Sequence, residues 1–95
     1  MPNYPLLSTG QQAVTASAQP LPALPSVPGT GYRVILEALK ANSASVFYGT
    51  AGVTDTTGKE LAPGNSDTLE VNNLNMIHVV AAATGGSVSW VANNL

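Results

Sequence analysis

The sequence predicts an all-β fold: a small antiparallel β-sandwich, jelly-roll-like or immunoglobulin-like, carrying an extended Pro-rich N-terminal arm. Three observations predict it. About six short segments of alternating or β-branched residues are separated by Gly, Asn and Asp turn signals. No segment reads as a convincing helix. Six of the seven prolines lie in the first 32 residues, so the arm is set at 1–31 and the sandwich domain at 32–95.

The arm begins as an irregular or extended lead-in, Met1 to Gly10, punctuated by Pro2, Pro5 and Gly10. Gln12 to Ser17 alternates small side chains and predicts a weak strand over 12–17. Pro20, Pro22, Pro25 and Pro28 exclude a helix, because each lacks an N–H and drives its predecessor towards extended backbone. The three-residue period of Pro22, Pro25 and Pro28 matches polyproline II. Nine residues at about 3.1 Å each make a stiff tether of roughly 28 Å.

Gly29-Thr30-Gly31 then turns the chain into the sandwich. Tyr32 to Leu39 alternates Val34, Leu36 and Ala38 against Arg33 and Glu37, and its length between turns favours a strand over a short helix. Ser45 to Thr50 (SVFYGT) is aromatic and β-branched, a second strand. Ala51 to Asn65, rich in Gly, Asp and Pro, is a loop with room for a short hairpin. Thr68 to Val71 is a strand with Leu69 and Val71 on one face. Last come Met76 to Ala83 and Ser87 to Asn93, joined by Thr84-Gly85-Gly86-Ser87. Gly-Gly suits a tight hairpin turn. The register then sets Ala83 opposite Val88, Ala81 opposite Trp90 and Val79 opposite Ala92, giving one apolar face. Its second face carries Met76, His78, Val80, Ala82, Ser89 and Val91, and is expected to form a homo-oligomer.

Every Asp, Glu, Lys and Arg lies between Arg33 and Glu70. Charged residues make up 8% of the 95 residues, against 44% hydrophobic, and mean hydropathy is +0.16; soluble domains average about 25% charged. So little charge suggests a surface partly covered by partners. Net charge is −2, and the only cations are Arg33, Lys40 and Lys59. They are too few and too scattered to displace counterions from a nucleic acid. Without cysteine there are no disulfides or thiolate metal sites. The proline-broken N-terminus does not read as a signal peptide, and no apolar run approaches the roughly 20 residues of a membrane span.

Motifs that carry chemistry are sparse. His78, the one histidine, lies mid-strand opposite Asn93 in the register above, and reads as a sheet contact rather than a catalytic base. Asp55-Thr56-Thr57-Gly58-Lys59-Glu60 resembles a calcium loop but lacks the ligand number and flanking helices of one. Asp67 and Glu70 form a hydrated strand edge rather than an acid–base pair. The steps Pro22 to Pro25 and Pro25 to Pro28 lack the basic residue that SH3 ligands carry. Gly29-Thr30-Gly31 precedes a strand and is no nucleotide loop. The sequence therefore predicts no catalytic, cofactor-binding or metal-binding residues, and no cofactor.

QQAVTASAQPLP, RVILEAL, SVFYGTAGV, ELAPGNSDTLEV with NLN, and VSWVAN, spread from Gln11 to Asn94, resemble small virion proteins of tailed bacteriophages. These are the decoration or cement proteins of capsids. The resemblance implies a non-enzymatic β-module on the capsid surface, made in the host cytoplasm, often trimeric, with the major capsid protein as partner. Met1 to Pro28 would engage the shell or a neighbouring copy, and deleting residues 1–28 would leave a folded oligomer. The alternatives are a head-fibre, tail or baseplate component, and a small glycan- or peptide-binding module.

Overall fold

A computed structural model describes residues 7–25, 31–82 and 86–95, and shows a sandwich of two four-stranded antiparallel sheets. The front sheet has the order β1-β8-β3-β6, from Leu7–Val14 (β1), Gly86–Asn94 (β8), Tyr32–Ala38 (β3) and Ser66–Val71 (β6). The back sheet has the order β2-β7-β4-β5, from Gln19–Pro20 (β2), His78–Ala81 (β7), Val46–Gly49 (β4) and Lys59–Leu61 (β5). The first strand pairs with the last, the second with the seventh, the third with the sixth and the fourth with the fifth. Such a nested hairpin closes into two sheets when β8 also pairs with β3 and β7 with β4. That order is an eight-stranded jelly roll, which resolves the two topologies the sequence left open.

Alternation decides which side chains go inside. Along β3, Tyr32, Val34, Leu36 and Ala38 are buried, while Arg33 and Ile35 face out. β8 adds Val88, Trp90 and Ala92, and the back sheet answers with Val46, Leu61, Val79 and Ala81. Leu74, in the 3₁₀ turn Leu74–Met76, joins the same core. No polar or charged residue is buried among those described. Trp90 faces inward as expected, but its neighbour is Gly10 rather than Ala81. Gly10 is its cross-strand partner on β1, and a Cβ there would lie 2.5 Å from the indole. Glycine lets the ring lie flat across β1.

Two expectations fail. The terminal hairpin does not form, because β7 and β8 belong to different sheets. As a nine-residue strand, β8 gains long ladders with β1 and β3 on its two sides, whereas β7 has only four residues to offer. Residues 83–85, with the Ala83 pairing, lie outside the described residues.

The arm is the second. Its described part, 7–25, is woven into the sandwich rather than held apart from it. β1 runs over residues 7–14 instead of 12–17, because β8 offers a ladder along all eight residues. The chain then bends at Ala16 and Ser17, with Thr15 Oγ1 accepting from the Ser17 N–H at 3.2 Å, and enters the back sheet as β2. Leu21 is 1% exposed and donates its N–H to the Ile77 carbonyl at 3.0 Å. Beyond it, the Asn73 side chain clamps the Leu24 backbone, donating to its carbonyl at 2.7 Å and accepting from its N–H at 2.8 Å. The Tyr32 hydroxyl donates to the Pro25 carbonyl. Asn42 makes the same two-pronged contact with Ser87, both bonds 2.9 Å. A tether this bound cannot swing free; Pro28 lies outside the described residues.

Candidate docking surface

The sequence-predicted chemistry disperses in the fold. His78 pairs with Pro20 and Gly49 in the back sheet, not with Asn93. Its Nδ1 is buried without a partner, and among the described residues no nucleophile or carboxylate is hydrogen-bonded to it. Asp55 sits in a turn organised by threonines, with Thr54 Oγ1 accepting from the N–H groups of Thr56 and Thr57. Among the described residues no three His, Cys, Asp or Glu side chains converge to hold a metal. Asp67 and Glu70 point to opposite sides of β6. Glu70 pairs with Arg33 across the exposed front face, at 3.3 Å.

Asp67 faces inward and joins the two sheets. It accepts from the Tyr48 hydroxyl of β4 at 2.7 Å and lies 3.4 Å from the Lys59 Nζ of β5. Burial and the adjacent carboxylate push the Tyr48 hydroxyl up to about 12. The bond from Tyr48, helped by Lys59, holds the Asp67 carboxyl below its ordinary value. This group is a structural strut. An open cleft of about 320 Å³ between Gly31, Val71, Met76 and Leu95 has one ionisable lining residue, Glu70, already engaged with Arg33.

What the fold does present is an edge and a face. A sheet edge exposes unpaired backbone groups that invite another strand, and proteins blunt it with charge, proline or brevity. Three edges here are blunted: β2 has two residues and ends at Pro20, β5 has three including Lys59 and Glu60, and β6 carries Asp67 and Glu70. β1 is the exception. Its eight residues, LSTGQQAV, contain neither charge nor proline, and among the described residues nothing pairs with its outer side.

The outer faces of the sheets differ as well. Val80 points away from the core yet is only 3% exposed, and Phe47 is its cross-strand neighbour. The 50–58 loop covers this face with Val53, which fits because Gly49 and Gly58 have no side chain; a Cβ on either would lie 2.8 Å from a Val53 methyl. Among the described residues, the front sheet has no such cover. Ile35 and Val91, paired across β3 and β8, are 44% and 41% exposed. The face expected on the terminal hairpin is therefore divided, with Val91 and Ser89 on the front sheet and His78, Val80 and Ala82 at the back. The Tyr32–Leu39 alternation set Arg33 and Glu37 opposite the inward Val34, Leu36 and Ala38; that Ile35 shares their outer side and pairs with Val91 comes from the structure.

No family model matches the chain, and no curated protein matches it. Among solved structures it is similar to a chain of the Bacillus endospore appendages, described as a novel family of disulfide-linked pili. The TM-score is 0.61 at 15% identity, covering 96% of this chain and 85% of that one. The likeness is one of fold.

Proposed function

We propose that this chain is a non-enzymatic structural protein that docks through strand β1 onto a larger protein assembly. The assembly is a bacteriophage capsid, which the protein decorates and stabilises by bridging major capsid subunits. The observation that carries the reading is the unblunted β1 edge. Main-chain hydrogen bonds to an added strand give attachment without any pocket, and the uncharged sequence imposes no repulsion. The low overall charge and the virion-protein resemblance support the capsid as the partner. A second reading, a head-fibre, tail or baseplate component, is favoured by the likeness to a pilus chain. With no cysteine in this sequence, any such fibre would be held without disulfides.

Co-sedimentation of the purified chain with expanded empty capsids tests the proposal, and saturable occupancy is the expected result. In an antiparallel edge strand, alternate residues direct their N–H outward. Of Gln11→Pro and Gln12→Pro, one should therefore melt the β1–β8 ladder and the other should fold normally yet fail to bind. Full capsid binding by the folded variant rejects docking through β1. Labelled protein found only on fibres or tails selects the second reading.

A further inference from the structure

We propose that two copies of this chain pack front sheet to front sheet, about a two-fold axis lying along the cross-strand row Thr9–Val91–Ile35–Thr68. The inference is independent of attachment through β1, which uses an edge and leaves the face free.

The pairing registers lay out this face in rows. The central row joins Thr9, Val91, Ile35 and Thr68. On one side lies the row Asn93, Arg33 and Glu70, and on the other Gln11, Ser89, Glu37 and Ser66. The central row is thus β-branched throughout, with apolar Val91 and Ile35 in the middle and threonines at its ends; the rim is polar, and among the described residues the only charges on this face are Arg33, Glu37 and Glu70. An apolar centre within a polar rim is how a protein interface is built.

A second copy fits because the face is complementary to itself. Stacked sheets sit about 10 Å apart with strands within about 30° of each other. Two in-plane two-folds can stack this face on itself. An axis along the strands sets Arg33 against Asn93 of the other copy and Glu37 against its Ser89, leaving both charges covered without a new partner. An axis along the central row exchanges the two flanking rows. Ile35 then meets Ile35, Val91 meets Val91, and Arg33 of each copy lies over Glu37 of the other, twice by symmetry. Arg33 already holds Glu70 within its own chain. Glu37 has no ion-pair partner among the described residues, and the second copy supplies one. Both groups lie on β3, near the middle of the sheet, where the crossing angle displaces them least.

Size sets the strength. Four strands about 4.8 Å apart and some seven residues of about 3.4 Å each give roughly 450 Å² per copy. Two copies reach roughly 900 Å², beside the lower bound of about 1,000 Å² for a specific contact. The dimer is therefore weak and concentration-dependent, and it is a dimer rather than the trimer implied by the family resemblance.

Light scattering on the full chain at about 100 µM and 50 mM salt tests this. The expected mass is twice the 9.6 kDa of one chain. Ile35→Asp and Val91→Lys should each give monomers with an unchanged circular-dichroism melt. Glu37→Arg, which sets a second guanidinium against Arg33, should weaken the dimer by about tenfold or more. The double variant Arg33→Glu/Glu37→Arg should recover most of the loss. A monomeric or trimeric wild type overturns the proposal, as does an undiminished dimer in both Ile35→Asp and Val91→Lys. Failure of the well-folded charge swap to recover overturns the chosen axis.

Discussion

Over the back sheet, the 50–58 loop seats Val53 beside Gly49 and Gly58, and Val53 and Val80 are both buried; over the front sheet, Ile35 and Val91 stay 44% and 41% exposed. The back sheet is built of strands of two to four residues and needs that loop to finish burying its apolar side chains. The front sheet has strands of six to nine residues, holds Trp90 over Gly10, and is complete without an outer layer. Exposed apolar residues on the stronger sheet are therefore not a packing shortfall. The chain had a working way to cover a face and used it on one side only.

The severest test of this contrast deletes residues 1–28. The cut removes β1 from the front sheet, β2 from the back sheet, and Leu21 from the core between them. Both sheets should fail together, with loss of the cooperative thermal transition; a folded truncation would restore the separate arm that the sequence suggested.

Trp90→Ala tests the front sheet alone. Truncating a core tryptophan costs about 3–5 kcal/mol, and the lower end is expected because the indole N–H is buried without a partner. Gly10→Ala approaches the same contact from the other strand. It forces a methyl against the ring and should cost about 1–3 kcal/mol by urea denaturation.

Val53→Ala tests the cover. The loss should be roughly 1–2 kcal/mol, accompanied by faster amide exchange in β7 and unchanged exchange in β8. Equal acceleration in both strands would show that the loop supports the whole sandwich.

Tyr48→Phe, the mildest, cuts the strut between the sheets at a cost of about 1 kcal/mol near neutral pH. Asp67 has a lowered folded pKa, so its contribution is complete above the ordinary 3.8 and disappears as pH falls through the folded value. Tyr48 has a raised one, so its contribution is complete below pH 10 and is lost as pH rises through about 12. The stability gap between wild type and Tyr48→Phe should thus be widest between those limits and narrow at both extremes. A pH-independent gap would leave packing, not the hydrogen bond, as the cause.

Much of this architecture could be read from period-two patterning. Val34, Leu36 and Ala38 announced the buried side of β3, and SVFYGT announced β4. Local pattern failed where partners were remote. Gly85-Gly86 looked like a hairpin turn because nothing nearby shows that Leu7–Val14, some eighty residues upstream, holds the better ladder for β8. Prolines 20, 22 and 25 looked like a free rod because the Asn73 clamp on Leu24 spans 49 residues and has no sequence signal. The candidate surface was half legible for the same reason. An outer side of β3 carrying Arg33 and Glu37 follows from its own strand, whereas the row that Ile35 forms with Val91, Thr9 and Thr68 exists only once four distant segments are registered.

Pairing the first strand with the last also governs when the molecule can form. While the polypeptide emerges from the ribosome, β1 has no neighbour until β8 appears, and β2 none until β7. Only the β4–β5 hairpin and its β3–β6 bracket can close early, so loop-closure entropy is met before most contacts repay it. Folding should accordingly be slow, with the uncharged strand β1 exposed to any open sheet nearby until β8 is available to pair with it.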